Sequence, residues 1–354
     1  MKKKKLVILG GGYAGMRLIQ GLLPKMDDNQ EIILIDRLPY HSFKVEFYAL
    51  AAGTESLTDI THTFPEDPRL TKLYGEITNI DTVKKRIEIR ENDPQEYDEL
   101  VIALGCTDAY QGVKGAEENA FSIQTLKKSQ IASQRLTTLD PYERVTIIGG
   151  GLSGVELAAE LRQSREDLNI SIVNRGKSVL SPFPRKTQEY VSRWFIEHDV
   201  NLINEVQLEE IYSNYAIYEN GTLEYDAVVW TAGIRPAAVT DSLEGERDQQ
   251  GRFVVNEDYS LPSDRNVYII GDCASAYFSP SAYLAEIMAD RLRDILLAKW
   301  RNLDIQLPPI KLKAVFGSLG KKEGFAVIGD TPIHGRVPRV LKSGVLWLYK
   351  KHLG

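Results

Sequence analysis

The sequence predicts an α/β protein made of two Rossmann-like domains, the second inserted in the first, followed by a small C-terminal module. Three observations predict it. A short apolar run ends in a glycine-rich turn twice, at Leu6-Val-Ile-Leu-Gly10-Gly-Gly12-Tyr-Ala14-Gly15 and at Val145-Thr-Ile-Ile-Gly149-Gly-Gly151-Leu152-Ser153-Gly154. Each turn is followed at a distance by a second matching phrase, Tyr97-Asp-Glu-Leu-Val-Ile-Ala103-Leu-Gly105 and Tyr225-Asp-Ala-Val-Val-Trp-Thr-Ala232-Gly233. A third buried run, Asn266-Val-Tyr-Ile-Ile-Gly271-Asp272-Cys273, has no counterpart in the second half and returns the chain to the first domain. Nearly continuous apolar runs of this length are how strands buried on both faces of a parallel sheet read.

Between turn and closing strand, each half carries a helix pattern and another strand. In the first half Met16-Arg-Leu-Ile-Gln-Gly-Leu-Leu has apolar residues at helical spacing, and Glu31-Ile-Ile-Leu-Ile-Asp36 reads as the next buried strand. In the second, Val155-Glu156-Leu-Ala-Ala-Glu-Leu is followed by Ile170-Ser-Ile-Val-Asn174. Both halves are therefore strand, glycine turn, helix, strand. A long helix is expected from about Ser281 to Trp300, and Pro308-Pro309 with the glycine-rich stretch Gly317 to Gly329 marks a separate C-terminal piece. The expected domains are 1–114 with 251–305, 115–250 inserted between them, and 306–354.

Composition narrows the partners. The formal charge of −6 on 354 residues gives no general attraction to nucleic acid, and no run reaches the roughly 18 apolar residues that would span a bilayer. Lys2 to Lys5 read as a solvated flank, without the cleavage site of a signal peptide, so the expected location is cytoplasmic. Two cysteines, Cys106 and Cys273, form no Cys-x-x-Cys pair; no metal site is expected, and both read first as small buried residues.

The glycine turns carry the chemistry. In Gly-x-Gly-x-x-Gly the first glycine permits the bend and the second admits a pyrophosphate. The third lets the helix pack on the strand, so that its N-terminal N–H groups face the phosphates. Two such turns predict two dinucleotides. Asp36 ends its strand as a carboxylate suited to ribose hydroxyls, whereas the matching residue in the second half is Asn174, followed by Arg175. Asparagine bonds a 2′-hydroxyl without the charge that repels a 2′-phosphate, so NADH and NADPH both stay open. Asp272 is expected either to accept from a flavin's polyhydroxyl chain or to cap a helix.

Together with Tyr40-His41, Ala51-Ala-Gly53, Trp230-Thr-Ala-Gly-Ile-Arg-Pro236 and Gly271-Asp-Cys-Ala274, these phrases make residues 5–330 resemble the type II NADH dehydrogenases, flavoproteins with two dinucleotide-binding domains. The resemblance implies FAD held by Gly10, Gly12, Ala14, Gly15, Asp36, Arg37, Ile77 (with Glu76 near the adenine), Ala103, Gly105, Gly271 and Asp272. It implies NAD(P)H held by Gly149, Gly151, Leu152, Ser153, Gly154, Glu156, Asn174, Ala232 and Gly233. Hydride would pass from nicotinamide to flavin and electrons on to a quinone, with no side-chain acid or base required for the hydride step. Glu156 and Lys44 are the candidates nearest the reacting rings, and Lys44 is weighed as a partner of Glu156.

Three features depart from the family pattern. Tyr283 and Ile287 stand where many relatives have quinone-facing glutamines, and Lys44 and Glu46 add charge to a segment that is largely apolar in relatives. The C-terminus is short, with Val340, Leu341, Val345, Trp347 and Leu348 beside Arg339, Lys342, Lys350 and Lys351. Residues 337–353 are thus expected to form a basic helix that contacts a membrane peripherally, on the inner face of the cell membrane, or packs on the protein or a homodimer partner. The alternatives left open are a non-quinone acceptor and a slow flavin-based redox sensor.

Overall fold

The computed structural model describes residues 3–353. The chain gathers into two compact units. One comprises Met1–Ser42, Thr61–Thr107 and Arg235–Lys311; the other comprises Phe43–Ile60, Asp108–Ile234 and Leu312–Gly354. Relative to the expected boundaries, residues 43–60 gather with the second unit, and the expected C-terminal module 306–354 divides, with 306–311 in the first unit and the rest in the second. The chain crosses between units at 42/43, 60/61, 107/108, 234/235 and 311/312.

The first unit is built on a five-stranded parallel sheet. Its order is Val267–Ile269, Glu99–Ile102, Lys4–Leu9, Gln30–Asp36, Leu70–Tyr74. The three runs read from sequence as two-face-buried strands occupy its centre and one edge, and Val7, Ile8, Leu9, Val101, Ile102 and Ile269 are fully buried. Leu70–Tyr74 is the strand that sequence did not single out. Helix Tyr13–Leu22 follows the first strand, and helix Ala282–Trp300 packs beside it. The two helices are joined by a bidentate pair from Arg17 to Asp290, at 3.0 and 2.9 Å. Ser281 caps the longer helix by accepting from the Leu284 N–H at 3.1 Å, which fixes its start where the sequence placed it.

The second unit repeats the plan, with order Phe121–Ser122, Ala227–Trp230, Arg144–Ile148, Asn169–Val173, Val200–Ile203, all parallel. A two-residue strand, Phe121–Ser122, takes the edge position that Val267–Ile269 fills in the first sheet. Helix Leu152–Ser164 is buried on nearly all sides, between the sheet on one face and Phe47–Ala51 and Ala314–Leu319 on others. That accounts for the small and aliphatic residues Val155, Leu157, Ala158, Ala159 and Leu161 being fully buried.

The C-terminal glycine-rich stretch is an antiparallel sheet, Ala314–Leu319, Glu323–Ile328 and Thr331–Gly335. Gly317 faces the Phe325 ring, which a Cβ would approach to 2.1 Å. Helix Arg336–Leu353 lies against this sheet, and its polarity is inverted. Lys342 points inward, while Val337, Val340, Leu341, Val345, Trp347 and Leu348 are between 43 and 69 % exposed. Among the described residues, no helix is long and apolar enough to cross a membrane.

Candidate dinucleotide sites

Each unit carries one candidate site, at the carboxyl end of its central strand, where open α/β sheets bind ligands. In the first, Gly10 bends the chain at φ +94°, and a Cβ there would lie 2.6 Å from the Ala103 carbonyl oxygen. A Cβ on Gly15 would lie 1.9 Å from the Gly10 carbonyl oxygen, so only glycine lets the helix approach the strand. Gly12 is different: around its absent Cβ the protein has nothing within 4 Å. Packing and backbone therefore explain the first and third glycines, and neither explains the second. The same division recurs in the second unit, where Gly149 and Gly154 are closed in by backbone and Gly151 faces open space. Both helices start at the open glycine with no side chain capping them, leaving first-turn N–H groups aimed outward. Ala14 is buried in the first turn of its helix; Ser153, the corresponding residue, and Leu152 before it are half-buried.

The acid of the first site is built into its loop. Asp36 Oδ2 accepts from the Gly11 N–H at 2.6 Å and Oδ1 from the Leu38 N–H at 2.8 Å. Burial pushes the Asp36 carboxyl up from its ordinary value, and these two N–H groups pull it back. His41 braces the same loop through a hydrogen bond between its Nδ1 and the Gly11 carbonyl at 2.8 Å. Burial lowers its pKa to about 4, so it is neutral at physiological pH. The Phe64 ring closes the loop's flank, within 2.4 Å of where a Gly11 Cβ would stand. Arg37 is exposed beside Asp36, and Ile77 is buried at the start of strand Ile77–Asp81.

At the neighbouring strand ends, Ala103 donates to the Leu9 carbonyl at 2.8 Å, and the Gly105 and Gly271 turns follow their strands. Asp272 caps neither its own one-turn helix nor the long one, whose cap is Ser281. The helix-cap alternative is thereby excluded. Its Oδ2 instead accepts from the Cys106 thiol at 3.1 Å.

The second site differs where the sequence said it would. Asn174 donates Nδ2 to the carbonyls of Gly176 and Ser178 at 3.0 and 2.9 Å, and to Asn204 Oδ1 at 3.3 Å. Its amide nitrogen is thus committed to the loop, and its oxygen lies 2.9 Å from the Cβ position of Gly150. Ala232 and Gly233 follow strand Ala227–Trp230, half-buried. Thr231, which sequence reasoning did not single out, donates to the Ile148 carbonyl at 2.8 Å or to that of Gly149 at 3.2 Å, holding the glycine turn. Its place in the Trp-Thr-Ala-Gly phrase was the available signal.

Glu156, one turn into the helix after Gly151, is buried and forms an ion pair with Lys342. The C-terminal helix brings Lys342 Nζ onto Glu156 Oε1, with side chains 13 and 8 % exposed. The Ser318 N–H donates to the same oxygen at 2.9 Å, and Lys342 also reaches Ser318 Oγ at 3.0 Å and Tyr48 Oη at 3.3 Å. Lys44 stands half-buried at the start of the one-turn helix Lys44–Glu46. From the same turn, Glu46 is 7 % exposed near this cluster, and burial raises its carboxyl to about 7 against the pull of Lys342. Sequence could not find Lys342, because a lysine in an apolar helical run reads as a solvated position.

On helix Ala282–Trp300, Tyr283 and Ile287 line a groove of about 350 Å³ with Arg291 and the segment Pro308 to Lys311. Glu286 is partly buried, its carboxyl raised to about 7 by burial although Arg17 lowers it. Among the described residues, no cluster of His, Cys, Asp and Glu could hold a metal ion.

Residues 4–291 match the family model described as pyridine nucleotide-disulphide oxidoreductase. The chain is 48 % identical over 354 residues to an NADH dehydrogenase-like protein, YutJ, of Bacillus subtilis (strain 168), covering 99 % of this chain and all of that one. It is 25 % identical over 418 residues to a type II NADH:quinone oxidoreductase of Haemophilus influenzae, covering 99 and 93 % of the two chains. Among solved structures, it is similar in fold to the NDH2 of Plasmodium falciparum in complex with NADH, with TM-score 0.83, 17 % identity and coverage of 97 and 94 %. The sulfide:quinone oxidoreductase of Aquifex aeolicus is as similar in fold, with TM-score 0.83, 20 % identity and coverage of 99 and 91 %.

Proposed function

Because the chain belongs to the pyridine nucleotide-disulphide oxidoreductase family, as an NADH dehydrogenase-like oxidoreductase, we propose that it holds FAD in the first unit and NAD(P)H in the second, and passes electrons from the flavin to a quinone. The observation that carries this reading is the pair of open glycines. Gly12 and Gly151 each face space that no protein atom fills, at the head of an uncapped helix, which is the cradle a pyrophosphate needs.

In the first unit the residues fit a dinucleotide larger than a mononucleotide flavin. Asp36, held by two backbone N–H groups, would accept from the adenosine ribose, and Ala14, Gly15 and the helix terminus would take the pyrophosphate. Asp272 would receive the ribityl hydroxyls, with Ala103, Gly105 and Gly271 forming the backing turns. Arg37 and Ile77 would flank the adenosine. In the second unit Gly149 to Gly154 would take the pyrophosphate of NAD(P)H and the Asn174 oxygen its ribose hydroxyl, while Ala232 and Gly233 would border the nicotinamide. When bound, nicotinamide supplies the hydride and the flavin accepts it and releases electrons singly or in pairs. The protein's part is alignment and electrostatics, so Glu156 needs to be neither acid nor base, and its charge is already balanced by Lys342.

A non-quinone acceptor is favoured by one observation: Tyr283 and Ile287 stand where the family's quinone-facing glutamines would be. The test is to reduce the purified protein with NADH without oxygen and then add a soluble quinone. Reoxidation much faster than in quinone-free buffer is expected; an equal rate removes the quinone and leaves the dehydrogenase.

We also propose that helix Arg336–Leu353 rests on a membrane surface. Its apolar residues point outward, where burial in the protein does not account for them, and Arg336, Lys350 and Lys351 lie along the same helix.

A further inference from the structure

The chain's two cysteines are spent on the two turns beside the first glycine loop. Strand Glu99–Ile102 leads into Gly105-Cys106, and its parallel neighbour Val267–Ile269 leads into Gly271-Asp272-Cys273. Each cysteine reaches across to the other turn. Cys106 donates its thiol to Asp272 Oδ2 at 3.1 Å, and Cys273 donates to the Gly105 carbonyl at 2.9 Å. Cys273 is fully buried, and burial raises its thiol to about 12, so it remains a protonated donor at physiological pH. Neither bond is required by the sheet, whose ladder ends before both turns.

A carboxylate on a short side chain turns freely unless something holds one oxygen, and an aspartate meant to receive hydroxyl groups gains from being fixed beforehand. We propose that Cys106 is a positioning residue of the first dinucleotide site: its thiol fixes the Asp272 carboxylate in the orientation that accepts the ribityl hydroxyls, while Cys273 fixes the turn from which Cys106 projects. This rests on the reading of the first unit as an FAD site. It separates the two cysteines from redox chemistry, since both act as S–H donors and neither changes oxidation state. Cys106 is half-buried, unlike Cys273, and alanine in its place would remove both the sulfur and the donor.

The test is titration of FAD into deflavinated protein, followed by quenching of flavin fluorescence. Cys106→Ala is expected to weaken FAD binding about threefold to tenfold, the worth of one modest hydrogen bond. Cys106→Ser, which restores a donor, is expected to bind within about twofold of wild type. Thermal midpoints of the three apoproteins should agree. A second measurement needs no variant to fold: capping Cys106 of the folded apoprotein with methyl methanethiosulfonate removes the donor, and FAD affinity should fall and return on treatment with dithiothreitol. The proposal is overturned if Cys106→Ala binds as wild type while Asp272→Asn binds more weakly, a result that leaves the FAD site standing. It is also overturned if serine and alanine weaken binding equally, or if complete capping leaves affinity unchanged. Wild-type apoprotein that binds no FAD removes both the proposal and the reading beneath it.

Discussion

In the proposed NAD(P)H site a single amide group, that of Asn174, would decide how a ribose is read. The Asn174 nitrogen is tied to two loop carbonyls, so the side chain cannot turn its donor toward a phosphate, and its oxygen is a neutral acceptor for a hydroxyl. Replacing it with glutamate adds the charge that repels a 2′-phosphate. For Asn174→Glu the ratio of kcat/KM for NADH to that for NADPH should rise about tenfold, the ratio separating ribose recognition from any loosening of the loop. Equal losses with both donors would show that residue 174 does not face the ribose. The Lys342–Glu156 pair makes a different kind of prediction. Lys342→Met leaves a buried carboxylate without its cation, which costs about 3–5 kcal/mol, and adding Glu156→Gln should recover much of that in denaturant unfolding. Glu46 adds a pH dependence. Its folded pKa, about 7, lies above the ordinary glutamate value of 4.5, so folding favours the protonated form. Stability is therefore fully present below the unfolded value and is lost as pH rises through the window from 4.5 to about 7. Glu46→Gln should raise stability by up to roughly 3 kcal/mol near pH 8 and by progressively less toward pH 4.5, as read from unfolding midpoints. A gain that does not vary with pH would contradict the buried-carboxyl account.

Helix Arg336–Leu353 shows at the level of an element what sequence pattern can and cannot give. Its apolar and basic residues were legible as an interfacial pattern, but not which face turns inward. The structure puts Lys342 in and six apolar residues out, the reverse of a core-facing helix. Charge on the outer face should then act on surface binding alone. Val340→Glu with Trp347→Glu is expected to abolish most sedimentation with anionic liposomes and leave flavin content unchanged, because Lys342 keeps its partner. Undiminished sedimentation would contradict membrane contact through this face. The glycine turns were the opposite case: strand, turn and helix were readable because each glycine answers a local steric demand, and the expected helix from Ser281 matched through its cap. The residues that complete the sites were not readable for the same reason. Phe64, Lys342 and Ser318 come to their loops from distant segments, and Asp272's partner Cys106 lies on the turn after the neighbouring strand, far off in sequence, so no spacing rule connects them. The assignment of residues 43–60 to the second unit was also hidden, since a short apolar helix matches either core equally well.

For the whole molecule, the repeat is the strongest statement the chain makes. Two sheets whose four corresponding strands run in the same order each end their central strand in an open glycine turn. One is lined by a backbone-held carboxylate and one by a committed amide, the difference on which the proposal of a resident and an exchanging nucleotide rests. The open glycines give this a direct test, because alanine at Gly12 or Gly151 meets no protein atom within 4 Å, and only a ligand would encounter its methyl group. The decisive measurement is the anaerobic loss of the flavin's visible absorption on titration with NADH, in wild type, Gly12→Ala and Gly151→Ala. The account predicts that wild type bleaches, that Gly12→Ala folds with its flavin content much reduced, and that Gly151→Ala keeps its flavin but needs about tenfold more NADH. A colourless wild type, or a Gly151→Ala protein that bleaches at the wild-type NADH concentration, would contradict it.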